Sequence, residues 1–226
     1  MPDESYEPFA GTGIDASVPH SARIWNYWLG GKDHYAVDRE AGDQVTAIYP
    51  QITVNARESR AFLQRAVRFL AGEVGIRQFL DIGTGLPTAD NTHQVAQRIA
   101  PDARVVYVDN DPLVLAHARA LLIGTPEGAT RYIDSDIRDI THLMNGAAEI
   151  LDFTRPIAVL TFGVLGHIPD FDEARALVRH IIARVPSGSY HAISDGVTTE
   201  AKEKAQVEYA KTGGELYHHR TPGQIE

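Results

Sequence analysis

Apolar residues follow two different periods along the chain. As far as about residue 74 they recur every three to four positions, the spacing of one helix face; from residue 78 short apolar runs alternate with helical stretches. The first part predicts a helix over Ala22–Leu29, with Ser21 as its cap and Gly30-Gly31 as its stop. A second is predicted over Ala36–Ile48, ending before Pro50, and a third over Val54–Gly72, where Phe62, Ala66, Phe69 and Leu70 share a face. Residues 30–34, Gly-Gly-Lys-Asp-His, read as a loop.

The second part predicts strands at Gln78–Ile82, Arg104–Val108, Thr130–Ile133, Pro156–Phe162 and Ser189–Ile193. Between and after them come five helices. One is opened by Asn91 with Gln94 as a capping box and ends near Pro101; the others cover Pro112–Leu122, Thr141–Leu151, Phe171–Val185 and Glu200–Lys211. Arg104–Val108 is nearly continuous in apolar residues, as a strand buried on both faces must be. Such alternation predicts right-handed crossovers and an α/β fold, doubly wound on a mainly parallel, Rossmann-like sheet. Thr221-Pro222-Gly223-Gln224 reads as one more helix start, so further chain is expected beyond residue 226.

Composition narrows the function class. A formal charge of −9 works against a nucleic-acid partner. Arg57, Arg60, Arg65 and Arg68 are a local exception, read as a solvated helix face. There is no cysteine, so thiolate zinc sites and cysteine nucleophiles are excluded. The acidic N-terminus carries no signal-peptide pattern, and the longest apolar run, Ile157–Gly166, is far too short to span a bilayer. A cytoplasmic protein with no membrane partner is expected. His218-His219 has no accompanying carboxylate or thiolate pattern, and no metal site is expected there.

Candidate chemistry collects at the carboxyl ends of the strands, where open α/β sheets bind ligands. The first end reads Asp81-Ile82-Gly83-Thr84-Gly85, with two glycines that permit positive φ and a close approach of ligand to backbone. The second reads Asp109-Asn110-Asp111, and a carboxylate there can accept both ribose hydroxyls. At the third, Asp134-Ser135-Asp136-Ile137, a carboxylate with its neighbouring N–H can read the edge of adenine. The fourth, Thr161 to His167, is the natural floor for a transferred group. A dinucleotide fingerprint would require a third glycine where Thr88 stands, and Asp81 would repel a pyrophosphate. Asp81 would instead attract an ammonium. A ligand with adenine, ribose and an amino-acid ammonium but no phosphate is S-adenosylmethionine.

These runs, with Ala22-Arg23-Ile24-Trp25-Asn26-Tyr27-Trp28-Leu29-Gly30-Gly31 upstream, resemble class I S-adenosylmethionine-dependent methyltransferases, and in particular an actinobacterial subfamily of largely undefined substrate. The resemblance implies a seven-stranded sheet closed by a hairpin with one antiparallel strand, of which five strands are legible here. It implies Asp81, Gly83, Thr84 and Gly85 around the methionine portion, Asp109 on the ribose, Asp136 and Ile137 on the adenine with Asn110 beside it, and Phe162 and Gly163 flanking the sulfonium. Pro87 departs from the commoner motif, in which a third glycine often occupies that position.

Three segments are expected: a flexible arm at 1–18, an N-terminal helical lid at 19–74, and a cofactor-binding core at 75–226 that lacks its final hairpin. Tyr27 in the lid is a candidate cofactor contact, while Trp25 and Trp28 read first as core anchors. Lys32 and Arg57 are candidate partners for the cofactor carboxylate. His167 is the candidate catalytic base, since it follows the fourth strand and titrates near neutrality. The expected activity is methyl transfer to a small-molecule acceptor, with a homo-oligomer possible. A non-catalytic cofactor-binding sensor remains open, as does an NAD(P)-dependent oxidoreductase, against which Asp81 and Thr88 argue.

Overall fold

The computed structural model describes residues 15–121 and 124–225. Three helices come first: α1 (Ser21–Trp28), α2 (Ala36–Ile48) and α3 (Ile52–Phe69). A π-helical turn at Leu70–Val74 ends α3 at Gly75, whose φ of 83° reverses the chain. Strands and helices then alternate: β1 (Gln78–Ile82), α4 (Thr92–Ile99), β2 (Arg104–Asp109), α5 (Pro112–Leu121), β3 (Ala129–Asp134), α6 (Ile140–Ala148), β4 (Ala158–Phe162), α7 (Phe171–Ile182) and β5 (Tyr190–Ser194). The described chain closes with α8 (Glu200–Ala210) and a short α9 (Pro222–Ile225). Of the expected arm at 1–18, only 15–18 fall among the described residues.

The strands form one parallel sheet in the order β3-β2-β1-β4-β5. The order reverses between β1 and β4, so a crevice opens above their carboxyl ends. The two further strands that the resemblance implies are not among the described residues.

Alternation along the strands distributes the core. Leu80, Ile82, Val106, Val108 and Val159 pack on one face against α6 and α7 residues such as Leu143 and Ile181. Phe79, Val105, Tyr107, Ala158 and Leu160 pack on the other against Leu63 and Val67 of α3 and Val95 of α4. Burial on both faces is why β2 reads as a nearly continuous apolar run, and β1 is buried throughout although it carries Gln78 and Asp81. A separate cluster, with Ile24, Ala41, Val45, Ala205 and Tyr209, joins α1 and α2 to α8. The N-terminal helices are thereby fixed over the carboxyl edge of the sheet by a helix from the far end of the chain.

Local signals explain the helix starts. The Asn91 capping box forms as expected, with the Asn91 N–H donating to Gln94 Oε1 at 2.9 Å. The cap of α1 is His20 rather than Ser21: its side chain accepts from the Ala22 N–H, and Ser21 is already in the helix. At the C-terminus Thr221 and Gln224 bracket the predicted helical turn, with the Thr221 N–H donating to Gln224 Oε1. Among the described residues no helix is long and apolar enough to cross a membrane.

Candidate active site

A cavity of about 540 Å³ lies over the carboxyl ends of the strands. Its floor is the set of strand ends singled out by the sequence: Gly83, Gly85, Asp109, Asn110, Asp136, Ile137, Phe162, Gly163 and His167 all line it. The turn after β1 is built by backbone. Gly83 and Gly85 have φ of 71° and 65°, and the Gly83 N–H continues the ladder by donating to the Val108 carbonyl at 2.8 Å. A Cβ on Gly83 would stand 2.4 Å from Val164, which explains why this position carries no side chain.

Asp109 ends β2 with its carboxylate clasped by two N–H groups, Gly85 at 2.7 Å to Oδ2 and Asp111 at 3.1 Å to Oδ1. Burial raises its pKa against those hydrogen bonds, so the group gains from additional neutral donors. Asp136 accepts from Asn110 Nδ2 at 3.2 Å and from the Arg138 N–H at 2.7 Å, which ties the ends of β2 and β3 together. Ile137 is buried beside them. Gly163 ends β4 at φ 79° with open space where a Cβ would point, and its N–H donates to the Ser194 carbonyl at 2.7 Å. Phe162 meets Phe62 of α3 at 5.4 Å between ring centres.

Five of the sequence candidates, Asp81, Tyr27, Thr84, Lys32 and Arg57, do not line the cavity. Asp81 is 3% exposed and turned beneath the glycine turn, where it accepts from the Thr92 hydroxyl at 2.6 Å; burial pushes its pKa up to about 6. It sits on the Phe79 side of β1, toward α3 and α4, because strand residues alternate faces. Tyr27 points its hydroxyl at Asp43 of α2, at 2.7 Å. Thr84 presents its carbonyl to Arg60 at 3.4 Å. That contact also corrects the reading of the arginine run as a solvated face. Arg60 turns inward, where burial lowers its pKa beside Asp81, while Arg57, Arg65 and Arg68 are exposed.

The roof comes from the N-terminal helices. His20, Trp25 and Trp28 of the α1 region, Tyr49 and Ile52, and Phe62 of α3 face the floor. Trp28 both packs in the α1–α2–α8 cluster and donates Nε1 to the Gly42 carbonyl at 3.3 Å, so it anchors the core and lines the cavity at once.

The remaining wall consists, apart from His167, of residues to which the sequence reading gave no part in this site. Beyond α8 the chain returns to the sheet edge: the His218 N–H donates to the Gly166 carbonyl at 2.6 Å, and Val197 pairs with Arg220 as a parallel bridge. This return delivers Glu215, Tyr217 and His219 to the cavity. The Tyr217 hydroxyl donates to Asp195, the residue after β5, and receives the Gly196 N–H at 3.1 Å. Burial raises the Asp195 pKa to about 6 and lowers that of His219 to about 4. His167 packs edge-on to Tyr217 at 5.3 Å, its buried Nδ1 lacks a hydrogen-bond partner, and burial lowers its pKa. Asp195 did carry a sequence signal, as a fifth strand end of the form Ser194-Asp195-Gly196; Tyr217 carried none, and His219 was visible only as half of a histidine pair.

The arrangement can hold a nucleoside through carboxylates and backbone at one end, and an apolar molecule at the other. Among the described residues no group of three or more His, Cys, Asp or Glu side chains could hold a metal ion. Comparison with known proteins agrees with this chemistry. A model of the family described as S-adenosyl methyltransferase matches residues 8–226. A DUF574-family protein of Streptomyces avermitilis superposes with a TM-score of 0.89 at 42% identity, covering 93% of this chain and 82% of that one. A candidate methyltransferase of Thermobifida fusca superposes with a TM-score of 0.86 at 39% identity, covering 98% of this chain and 83% of that one. Among curated proteins none matches.

Proposed function

The chain belongs to the S-adenosyl methyltransferase family, and on that premise we propose that it methylates a small-molecule acceptor bound under its N-terminal helices. The observation that carries the proposal is one cavity shared by two kinds of wall. Its floor holds Asp109, Asp136 and the glycines, and its roof holds Trp25, Trp28 and Phe62. An enclosed space of this size suits a cofactor with a small partner. The net charge of −9 fits an acceptor other than nucleic acid.

The residues present fit S-adenosylmethionine. Asp109 is a buried carboxylate whose pKa is raised by burial, and ribose hydroxyls would supply the neutral donors it gains from. Asp136 and the apolar Ile137 would hold the adenine, with Asn110 fixing the Asp136 carboxylate. Gly85 and Gly163, with open space at their Cβ positions, leave room for the methionine portion against the backbone. In place of direct contact, Asp81 would act from below by holding Thr92 and, through Arg60 and the Thr84 carbonyl, the glycine turn.

Bound S-adenosylmethionine supplies a methyl group already activated on a sulfonium. This chain then contributes orientation and exclusion of water, which in well-aligned systems is worth roughly 7–11 kcal/mol. The α1 and α3 aromatic residues close the roof and act as the lid. His167, whose pKa burial lowers, has a buried Nδ1 that makes no hydrogen bond and lies 4.0 Å from the Glu215 carboxylate, placed to accept a proton from an acceptor that must lose one.

Calorimetric titration tests the reading. S-adenosylmethionine and S-adenosylhomocysteine are expected to bind, and NAD is not. Tight NAD binding without either sulfur ligand would overturn it.

A further inference from the structure

One wall of the cavity, formed where the chain returns after α8, holds a carboxylate with one oxygen left open. Asp195 directs Oδ1 to the Gly196 N–H and the Tyr217 hydroxyl, while Oδ2 has no hydrogen-bond partner or cation within 4.0 Å among the described residues. The Tyr217 ring that orients it is seated by two glycines: a Cβ on Gly166 or on Gly196 would stand 2.2 or 2.9 Å from that ring. Two cations, Lys202 and Arg220, act on this carboxylate through space, yet neither reaches it, because their hydrogen bonds go to backbone carbonyls. Lys202 donates Nζ to the Val197 carbonyl at 2.9 Å and lies over the Tyr49 ring at 5.7 Å. Arg220 spends its guanidinium on the carbonyls of Pro169, Leu165 and Ile168. Burial lowers the pKa of both His167 and His219, and Glu215, 4.0 Å from His167 Nδ1, adds a second carboxylate to the same wall. Arg65, exposed on α3, lies over the Phe62 ring at 5.9 Å.

A half-buried carboxylate with no cation in direct contact can take one, and such a carboxylate in a cavity also lined by aromatic rings is an arrangement that recognises an organic cation. The enclosure is present. Trp25 and Trp28 meet edge to face at 5.6 Å, and Phe62, 40% exposed, lines the same cavity. A carboxylate-bearing molecule would stand against Asp195 and Glu215, and a neutral one would leave the open Asp195 oxygen without a cation in direct contact.

We propose that this part of the cavity is the acceptor subsite and that it takes a small, flat, apolar molecule bearing an amine, with the ammonium on Asp195 and the apolar body against Trp25, Trp28 and Phe62. The inference rests on the methyltransferase reading for the word acceptor; the amine preference is a property of these side chains alone. Charge selection is set by Asp195, and the aromatic wall sets shape.

The test reads binding, not turnover. Both tryptophans of the protein line the cavity, so their emission reports occupancy directly. Three matched probes, 2-phenylethylamine, 2-phenylethanol and phenylacetate, are titrated near neutral pH with and without saturating S-adenosylhomocysteine. The amine is expected to bind about tenfold more tightly than the alcohol, and the acid most weakly. Asp195→Asn, which keeps an oxygen for Tyr217 and Gly196, is expected to bring the amine down to the alcohol while S-adenosylhomocysteine affinity by calorimetry stays at the wild-type value. Equal binding of the three probes, a preference for the acid, or no binding of any would overturn the proposal, and the wild-type comparison does so without a variant. Loss of S-adenosylhomocysteine binding in the wild type would overturn the cofactor assignment instead, and the titration without it still decides the amine preference.

Discussion

Gly85 donates its backbone N–H to Asp109 Oδ2 at 2.7 Å, so the turn after β1 and the acid ending β2 hold each other in place. Asp109 therefore has two tasks, shaping the turn and facing the cavity. Asp109→Ala is expected to weaken S-adenosylhomocysteine binding by about 1.5–3 kcal/mol, the worth of hydrogen bonds to a charged group. The fold should survive, because Asp109 lies at a strand end and the Gly83 and Thr84 N–H groups keep their bonds to the Val108 carbonyl. Calorimetry on variant and wild type checks it, and unchanged affinity would remove Asp109 from the ribose.

The two glycines of the turn should respond differently to a methyl group. Both have positive φ, so Gly83→Ala and Gly85→Ala each incur about 1–2 kcal/mol of backbone strain. At Gly85 the new Cβ meets nothing within 4 Å, whereas at Gly83 it stands 2.4 Å from the Val164 Cβ. Overpacking of that kind adds about 1–3 kcal/mol. Urea denaturation is expected to rank Gly83→Ala clearly below Gly85→Ala in stability. Equal losses would mean that Val164 moves freely and that the turn is not braced by the β4 end.

Tyr27 separates the helical roof from the site beneath it. Its hydroxyl is spent on Asp43, at 2.7 Å, on the side away from the cavity. Tyr27→Phe is expected to leave S-adenosylhomocysteine affinity within about 0.5 kcal/mol of wild type, as a substitution outside any site feature does. A larger loss by calorimetry would place Tyr27 on the cofactor after all.

These contrasts show what the sequence carried. Periodicity found β1 and α2 to the residue because Gln78–Ile82 is buried throughout and Ala36–Ile48 is bounded by a loop and Pro50. Strand ends found Asp109 and Asp136 because an acid after an apolar run has one favoured place in a parallel sheet. Pattern could not say which way Asp81 turns: it lies one residue before the end of β1, and the alternation that buries Phe79 carries it to the α4 side. Arg60 looked like its exposed neighbours because a helix face is defined only once its partner is known. The place of Tyr217 and His219 in the site stayed illegible because they lie in an irregular segment, held to the cavity by backbone bonds to Gly166 and Gly196 from distant parts of the chain.

Asp81 gives the most direct link between the buried network and pH. Its pKa is raised from 3.8 to about 6, with burial outweighing the Thr92 hydroxyl and the charge of Arg60. A carboxyl whose folded pKa lies above its unfolded value favours the folded state in its protonated form. Its contribution is therefore fully present below about pH 4 and is lost as pH rises through about 6. The gap between those two pKa values corresponds to roughly 3 kcal/mol. Asp81→Asn keeps an acceptor for Thr92 and removes the titration. The stability of the variant relative to wild type is expected to rise by up to roughly 3 kcal/mol between about pH 4 and pH 7, other titrating groups cancelling in the difference. Urea denaturation of both proteins across that range checks it. A constant difference between the two curves would mean that Asp81 ionises in the fold at no cost, with Arg60 neutralising it fully.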